Sequence, residues 1–417
     1  MPKFAHVSDL HIGAFRLPLL QSLVLEAFNK AMDICIDREV DFVVVSGDLF
    51  DSNIPDMGLV NAAVRKMSEV REKGIRLYVI YGSHDFSPTQ TSIVDILESA
   101  GLFTKVTKSK MDGGRLKLEF TVDQRSKAKL CGISGRRLGI EKEYYDILDR
   151  QSLEEEPGFK IFVLHGALTE FRPKRLAQME SLPLSLLPRG FAYYAGGHVH
   201  ERIEGIEQGY TVAYPGPLFG ADYSDLESSA MGLERGFFIV DFSDKVEDIE
   251  FVPVKVCEYE MKEYDAEGRN SVKAQSDLQE IVNNSTARGK LFLLKVAGEM
   301  SGGKTSDIDF QRLKNTLKDR GALEVFINHT KLASKDYTAV RVAGGDVHDI
   351  EEALFREKLG TINVLNPRLK GEAGVRLSKD TLKVWTQPRL ENEEKGTYDR
   401  RIAEETLETL RLEEAFS

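Results

Sequence analysis

Five of the eight histidines in this sequence of 417 residues fall in short segments that also contain aspartate, glycine or another histidine. The segments are Asp9-Leu10-His11, Gly47-Asp48-Leu49-Phe50-Asp51, Gly82-Ser83-His84-Asp85, His165-Gly166 and Gly197-His198-Val199-His200. A single isolated histidine is usually structural, but this clustering favours a functional site. Imidazole and carboxylate ligands without thiolate suit Mn²⁺, Fe²⁺ or Zn²⁺. The pattern therefore predicts one site for two divalent metal ions.

Residue types and spacing suggest how such ions would be held. Asp48 is the natural bridge, because a carboxylate has two oxygens and can join ions about 3.5–4 Å apart. His198 and His200 are two positions apart, which places them on the same face of an extended segment. Asp9 and His11 have the same spacing and can turn toward one ion if the chain bends after them. His165 would add a further nitrogen ligand.

His84 is predicted to act without binding metal. Its neighbour Asp85 could hold the imidazole in one tautomer, as acids orient catalytic histidines. We therefore expect His84 and Asp85 to be catalytic, with His84 stabilising charge or protonating a leaving oxygen. Asp51 has two open interpretations, either support for the site or an aspartate that begins a loop.

Each segment follows a run rich in Val, Ile, Phe and Tyr, which is typical of a strand buried on both faces. These runs cover residues 4–8, 41–46, 76–81, 160–164 and 191–195. Helical patterns at 18–38, 56–73 and 91–100 separate the early strands. The alternation predicts an α/β fold in which the polar segments meet at the carboxyl ends of the strands.

Length and composition indicate a globular protein of more than one domain, with 41% hydrophobic and 29% charged residues. We expect domains at 1–257 and 258–345, followed by a partly flexible helical region at 346–417. Residues 248–261 are predicted to form one strand, and residues 339–342 are predicted to form another. Three widely spaced cysteines, Cys35, Cys131 and Cys257, argue against a disulfide framework. Without an apolar run long enough for a membrane span, a cytoplasmic protein without a membrane partner is expected.

The net charge of −11 alone would argue against a nucleic acid partner. Metal ions and local basic clusters can nevertheless make one face attractive to phosphate. Two clusters are candidates for DNA contacts, and an ordinary solvated loop is an equally good explanation of them. Their residues are Arg136, Arg137, Arg172, Lys174 and Arg175.

The series Asp-x-His, Gly-Asp-x-x-Asp, Gly-x-His-Asp, His-Gly and Gly-His-x-His resembles the calcineurin-like metallophosphoesterase superfamily. Within it, Ser46-Gly47-Asp48-Leu49-Phe50-Asp51, the long spacing to His165 and the acidic C-terminal region are similar to the meiotic-recombination-eleven and SbcD DNA double-strand-break repair nucleases. The superfamily resemblance covers about residues 3–255. It implies a metallophosphoesterase β-sandwich flanked by helices, a smaller α/β capping domain and a C-terminal helical tail.

The resemblance also implies ligands, cofactor and activity. In such nucleases two Mn²⁺ ions would be held, one by Asp9, His11, Asp48 and His200. The other would be held by Asp48, Ser83, His165 and His198. The implied activity is that of a DNA exonuclease and endonuclease, which hydrolyses phosphodiester bonds with water activated by the two metals.

Partners are implied in the same way. The capping domain would contact duplex DNA ends, and two copies of the chain would form a homodimer. For the tail, whose stretch 360–396 is expected to be a loose connection, one explanation is a helix packed on its own cap. The resemblance favours another, in which helices bind an ATPase of the structural-maintenance-of-chromosomes type. In a prokaryote the protein would then be associated with the nucleoid.

The sequence leaves two other functions open. One is a small-molecule phosphodiesterase that uses the same metal site, although this would not need a cap or an acidic helical tail. The other is a scaffolding subunit that bridges DNA ends and has weakened nuclease activity. The second alternative arises from Ser83, because the related nucleases have asparagine at this position.

Ser83 leads to a testable prediction about metal affinity. A serine hydroxyl is shorter than the asparagine amide oxygen, so the ion beside it should lose a direct ligand. We expect calorimetric titration with Mn²⁺ to give one tight site and one weaker site. The variant Ser83→Asn should tighten the weaker site and increase Mn²⁺-dependent cleavage. Two equally tight sites in the unchanged chain would contradict this.

Overall fold

The computed structural model describes residues 1–85, 92–135, 142–335, 347–361, 367–390, 393 and 395–410. The chain divides into two compact units, Met1–Glu258 and Tyr259–Ser417. Among the described residues, no helix has both the length and the apolar character needed to cross a lipid bilayer.

The first unit contains two six-stranded sheets. In the first sheet the order is β16-β15-β1-β2-β3-β4, and the neighbours β1 to β4 run parallel. β15 and β16 continue it as antiparallel strands. The strands of this sheet are β1 (Lys3–Val7), β2 (Phe42–Ser46), β3 (Arg76–Ile80), β4 (Thr104–Lys105), β15 (Gly236–Phe242) and β16 (Val246–Pro253).

The second sheet has the order β13-β14-β12-β9-β8-β7, with parallel strands in its centre and an antiparallel strand at each edge. Its strands are β7 (Thr121–Val122), β8 (Lys129–Ile133), β9 (Lys160–His165), β12 (Tyr193–Gly197), β13 (Ile203–Glu207) and β14 (Tyr210–Tyr214). Two small pairs accompany the sheets: β5 (Ser109–Asp112) with β6 (Arg115–Leu118), and β10 (Ala167–Leu168) with β11 (Ser181–Leu182).

The two sheets share one apolar core. Phe4, Phe42 and Tyr78 from the first sheet belong to the same buried cluster as Ile161 and Tyr193 from the second. A polar contact also crosses this layer, since buried His6 makes hydrogen bonds with Tyr193 Oη at 2.9 Å and with Ser46 Oγ at 2.8 Å. Burial lowers the pKa of His6 to about 3, so the imidazole is neutral there.

Helices flank the sandwich because its central strands are apolar on both faces. α1 and α2 pack against each other, and α2 also contacts β3. Residues of α1 such as Phe28 and Met32 are fully buried. The helices of this unit are α1 (Pro18–Asp37), α2 (Met57–Glu72), α3 (Ile93–Ser99), α4 (Lys142–Asp146), α5 (Arg150–Glu154) and α6 (Tyr223–Ala230), with short 3₁₀ helices at Lys174–Leu176 and Leu184–Leu186.

The predicted α/β class is confirmed, with a sandwich flanked by helices, and the strands begin and end within a few residues of their predicted positions. One expectation was wrong. The residues 248–261 do not form one strand, because β16 ends at Pro253 and β17 (Glu258–Asp265) begins in a different sheet. A proline has no N–H group with which to continue a strand ladder.

The second unit begins with a three-stranded sheet of order β17-β18-β19. β18 (Lys290–Met300) and β19 (Glu324–Ser334) run parallel and are joined through α8 (Phe310–Asp319). α7 (Ser271–Asn283) and α8 bury Leu278 and Leu313 in the core of this sheet. A 3₁₀ helix covers Thr305–Asp307, and the predicted strand at 339–342 lies outside the described residues.

The C-terminal part of the second unit is helical, with α9 (Val347–Thr361), a 3₁₀ helix at Pro367–Leu369, α10 (Gly371–Trp385) and α11 (Lys395–Leu410). The expectation of a loose connection over 360–396 was wrong, because α10 lies within it and packs against both α9 and α11. Val375 and Val384 are buried, and Thr381 is buried between them in sequence. Charged residues of α10 obscured this helical spacing in the sequence.

Candidate metal centre

The polar segments of the sequence meet where strands of both sheets end. Asp9 and His11 follow β1, Asp48 follows β2 and His84 follows β3 in the first sheet. His165 ends β9, and His198 and His200 follow β12 in the second sheet. Asp9 and Asp48 are buried, with 0% and 2% of their surface exposed. A carboxylate is stable at that depth only when it is paired with donors or cations.

Unusual backbone conformations place several of these side chains. Asp9, His11, Asp48 and His198 all have positive φ, at 51°, 42°, 50° and 85°. Residues other than glycine rarely adopt this region, and such strain collects at functional sites. The turns lead these residues out of the strand alternation, and Asp9, His11 and Asp48 offer ligand atoms that lie close together.

Glycines allow the strand ends to come close enough. A Cβ atom on Gly197 would lie 2.0 Å from the carbonyl oxygen of Ser46, which belongs to the opposite sheet. A Cβ atom on Gly82 would lie 2.1 Å from Asp48 Oδ1. Neither position can hold a side chain without moving the backbone that carries the site.

The candidate ligand atoms form three overlapping groups in which all atoms lie within 4.8 Å of one another. The groups are Asp9 with His11 and His200, Asp9 with Asp48 and His165, and His11 with Asp48 and His84. Residues from both sheets are therefore brought to one point. The shared members make this one connected cluster rather than three separate sites.

The two carboxylate oxygens of Asp48 have different neighbours. Its Oδ1 accepts a hydrogen bond from the main-chain N–H of His84 at 2.8 Å. Its Oδ2 lies 3.1 Å from His165 Nε2 and 3.6 Å from His11 Nε2. The role of Asp48 as the bridge between two ions stays a prediction.

The Nδ1 atoms of three histidines are already engaged, and their Nε2 atoms point into the cluster. Nδ1 of His165 bonds to the carbonyl oxygen of Ser46 at 2.8 Å, an acceptor that requires Nδ1 to carry a proton. Nδ1 of His11 faces Asp51 Oδ1 at 3.1 Å, and Nδ1 of His200 faces Asp225 Oδ2 at 2.7 Å. This arrangement fixes the tautomer in which Nε2 is the metal-binding nitrogen.

The facing Nε2 atoms fit a metal cation. Nε2 of His11 lies only 3.3 Å from Nε2 of His200, so two unprotonated nitrogens would repel each other. Nε2 of His165 is buried without a well-aligned hydrogen-bond partner, although Asp48 Oδ2 is 3.1 Å away. The contact is close but poorly directed, and we interpret it as electrostatic. Cations held beside His11 and His200, and beside His165, would satisfy these nitrogens.

The charges in the cluster shift the pKa values of its histidines. Burial lowers the pKa of His165, but the Asp48 and Asp9 carboxylates outweigh it and raise the pKa to about 10. Burial also opposes the charged form of His200, yet its bond to Asp225 raises the pKa to about 9. Burial raises the pKa of Asp48, but the charges of His165 and His11 lower it by a larger amount, so this carboxylate stays ionised. The surroundings therefore favour the positively charged forms of His165 and His200.

His84 is oriented by a different residue from the predicted one, because Asp85 is not its partner. Asp85 is fully buried and accepts main-chain hydrogen bonds from Leu49, Phe50 and Gly82 at 3.0–3.2 Å. Burial, together with the charge of Asp48, raises the pKa of Asp85 to about 6. The sequence placed the two residues side by side, but the chain turns between them, so Asp85 shapes the loop instead.

Asp51 takes the place predicted for Asp85. Its carbonyl oxygen accepts a hydrogen bond from His84 Nδ1 at 2.7 Å, and its carboxylate faces His11 Nδ1. These contacts agree with the interpretation in which Asp51 supports the site. The His84 side chain is 44% exposed, so its Nε2 can reach a substrate at the cluster.

His198 and Ser83 have contacts that differ from those of the other predicted ligands. His198 donates its main-chain N–H to Asp9 Oδ1 at 2.8 Å, and its ring centroid is 5.3 Å from that of His165. Among the described residues, no group of close ligand atoms includes His198. Ser83 is partly exposed in the loop between Gly82 and His84. The roles of both as metal ligands stay predictions.

The sequence did not point to Asp225 or Arg235, although both contact the site. Asp225 lies in α6, and Arg235 lies just before β15. Neither belongs to a motif, and a carboxylate in a short polar helix normally faces solvent. In the structure both side chains are buried instead, with 5% and 7% of their surfaces exposed.

The candidate DNA contacts are only partly described. Arg172 is half-buried and donates a hydrogen bond to the carbonyl oxygen of Met179, which closes the turn between them. Lys174 is exposed. Arg136, Arg137 and the side chain of Arg175 lie outside the described residues, so contacts of this set with DNA stay a prediction.

Comparison with known proteins identifies relatives of the chain. Residues 2–202 match the family model described as calcineurin-like phosphoesterase. The chain is 25% identical to the DNA double-strand break repair protein Mre11 of Methanococcus maripaludis over 298 residues, which is 70% of this chain and 76% of that protein. It is 28% identical to the protein of the same name from Sulfurisphaera tokodaii over 259 residues, 60% of this chain and 62% of that one.

A solved structure described as a dimetal phosphatase from Danio rerio is 11% identical to this chain. The match covers 61% of this chain and 99% of that structure, with a TM-score of 0.36.

The raised pKa values of His165 and His200 predict that metal binding depends on pH. At neutral pH in the metal-free chain both imidazoles are protonated on both nitrogens. A divalent ion must displace one of these protons from each ring that it binds. The Mn²⁺ affinity should therefore rise as pH increases toward about 9, by roughly tenfold per pH unit for each displaced proton. Titration calorimetry in two buffers with different ionisation enthalpies should show at least one proton released.

A matched control is available for this experiment. His329 is exposed in the second unit and its replacement by Gln should leave the proton release unchanged. His165→Gln should reduce it. An affinity that falls with rising pH, or binding without proton release, would contradict the prediction.

Proposed function

Because this chain is a metal-dependent phosphodiesterase with a calcineurin-like phosphoesterase domain, we propose that it cleaves DNA at double-strand breaks as a Mn²⁺-dependent exonuclease and endonuclease. The observation that carries the reaction is the buried cluster in which Asp48 Oδ2 lies between His11 and His165. The relatives named DNA double-strand break repair protein Mre11 support the choice of substrate. The alignment with one of them is 298 residues long and so extends beyond the phosphoesterase match.

Two divalent cations are the proposed cofactors, with Mn²⁺ favoured and Fe²⁺ and Zn²⁺ as the alternatives. Asp9, His11 and His200 would hold one, and Asp48 and His165, with His198, would hold the other. When bound, such ions lower the pKa of water and offset the negative charge of a phosphodiester. Mixed carboxylate and imidazole donors suit these metals better than Ca²⁺.

The protein groups have distinct tasks in the proposed reaction. The phosphodiester would bind at the cluster so that water attacks phosphorus from the side opposite the leaving oxygen. His84 has its Nδ1 held by the Asp51 carbonyl oxygen, and its side chain is 44% exposed. As the imidazolium it would give the Nε2 proton to that leaving oxygen and become a neutral imidazole. Asp85 keeps the Gly82 to His84 loop in shape through its three main-chain hydrogen bonds.

Substrate choice can be tested by comparing two phosphodiesters. We expect linear duplex DNA with Mn²⁺ to be cleaved at least about 100-fold more efficiently than bis-p-nitrophenyl phosphate. The reacting phosphodiester is the same in kind, but the duplex also binds the protein through its non-reacting parts, which raises kcat/KM. His84→Ala should lower the rate constant on DNA by about 100-fold or more, since general acid catalysis is lost. The measurement is the steady-state rate with each substrate.

Matched variants distinguish the alternatives. Asp48→Asn should abolish cleavage of both substrates, whereas Asp56→Asn, at the exposed start of α2, should alter neither. Efficient turnover of the small diester alone would support a small-molecule phosphodiesterase. DNA binding without cleavage, restored by Ser83→Asn, would support the scaffolding alternative.

The proposed partners of the chain are DNA ends, a second copy and an ATPase of the structural-maintenance-of-chromosomes type, all in the cytoplasm. The tail supports an ATPase partner through exposed apolar side chains on α9, α10 and α11. Leu354, Trp385 and Leu407 are 50%, 60% and 42% exposed. A second copy would find exposed Met57 on α2 and Ile96 on α3, at 64% and 55%.

Removal of the tail tests the partner proposal. A chain that ends at residue 342 should retain Mn²⁺-dependent cleavage, because the cluster lies wholly within the first unit. It should lose binding to the ATPase of the same source, measured by size-exclusion chromatography of the mixture. In the full chain, Leu407→Asp should weaken binding, and Glu404→Gln, an exposed neighbour, should not. Undiminished ATPase binding by the shortened chain would contradict the proposal.

A further inference from the structure

We propose that Asp225 and Arg235 are positioning residues for His200, and that together they fix both its ring and its main chain so that Nε2 faces His11. This inference rests on the proposed role of His200 in holding a cation. It concerns residues that lie outside every motif of the sequence. The geometry assigns a separate task to each of the two residues.

Asp225 fixes the ring of His200. Its Oδ2 lies 2.7 Å from His200 Nδ1, which directs the opposite nitrogen, Nε2, into the metal cluster. The same Oδ2 accepts a hydrogen bond from the main-chain N–H of Ala221 at 2.8 Å. The carboxylate is therefore held by donors on two sides, and it cannot turn away from the imidazole without losing both.

Arg235 fixes Asp225 and the main chain of His200 with one side chain. Its Nη2 donates to Asp225 Oδ1 at 3.1 Å and to the Asp225 carbonyl oxygen at 2.9 Å. Its Nη1 donates to the His200 carbonyl oxygen at 2.6 Å, and its Nε donates to Ser229 Oγ at 3.0 Å. A planar guanidinium with five N–H donors can make all four contacts at once, whereas an ammonium group cannot.

The position of Arg235 in the fold explains why such a clamp is useful. His200 follows β12 of the second sheet, whereas His11 follows β1 of the first sheet. Arg235 immediately precedes β15, which pairs with β1. The guanidinium thus connects the strand pair that carries His11 to the loop that carries His200. The 3.3 Å approach of their Nε2 atoms depends on this connection between sheets.

The local backbone is shaped around the same carboxylate. Asp222 begins α6, and its side chain accepts from the main-chain N–H of Asp225 at 2.9 Å, which sets the first turn of the helix. Gly220 has φ of +141°, and a Cβ atom there would lie 2.7 Å from Asp225 Cβ. Any side chain at Gly220 would therefore push Asp225 away from His200.

Metal binding by variants of the full chain tests the proposal. Titration calorimetry with Mn²⁺ should show that Arg235→Gln and Asp225→Ala weaken one ion by about 10–100-fold while the other ion keeps its affinity. Asp225→Asn retains an oxygen that can accept from His200 Nδ1–H, so it should recover most of the lost affinity. Electron paramagnetic resonance should show the signal of coupled Mn²⁺ ions replaced by that of a single ion in the two weakened variants.

Controls separate positioning from a general loss of structure. Arg38→Gln removes an arginine of the same unit that is 46% exposed and paired with Glu250, and it should leave both affinities unchanged. Unfolding by denaturant measures the stability of each variant. If Arg235→Gln is too unstable to study, Gly220→Ala offers an independent displacement of Asp225 and should weaken the same ion.

The results have distinct meanings. Equal affinities in the unchanged chain and in folded variants would overturn the positioning role while leaving the proposed function intact. Equal weakening of both ions in proportion to lost stability would also overturn it. If the unchanged chain binds no Mn²⁺, the proposed function itself fails, and the positioning role fails with it.

Discussion

The site depends on three imidazole nitrogens and a buried carboxylate oxygen that face one another at the junction of two sheets. Nε2 atoms of His11 and His165 lie near Asp48 Oδ2, and Nε2 of His200 lies near that of His11. The three ring orientations are fixed by acceptors at Nδ1. Such a group of lone pairs is unfavourable unless positive charge lies among them. The bends after the strands and the glycines at their ends all serve to create this arrangement.

The same constraint explains how the sandwich is built around the site. The strands that carry the cluster belong to different sheets, so the sheets must be held in register where they meet. A shared apolar core provides most of this, and His6 adds a polar contact between Ser46 and Tyr193 within it. Arg235 provides a second connection at the rim, beside His200. The contacts that hold the two sheets together therefore also position the residues of the phosphoesterase site.

Differences between expectation and structure arise mostly from turns and distant contacts. Asp85 is adjacent to His84 in sequence, but the intervening turn sends its carboxylate to main-chain N–H groups, and the carbonyl oxygen of Asp51 takes its place. Asp48 directs Oδ1 toward the loop of His84 and Oδ2 toward His165 and His11. The helix α10 was missed because charged residues surround its buried positions. Each outcome depends on where a neighbouring segment lies, which local pattern does not contain.

The sequence by itself determined the strands, the helices between them and the identity of most residues in the cluster, because apolar periodicity and motif spacing are local properties. It also determined the carboxyl-end location of the site, since parallel strands place their ends at one edge. Tertiary structure alone decided which nitrogen of each histidine faces the cluster, which oxygen of Asp48 lies beside His165 and His11, and which residues contact His200. Those features come from contacts between segments far apart in the chain, and a hydrogen bond acts only when its atoms are brought within about 3 Å.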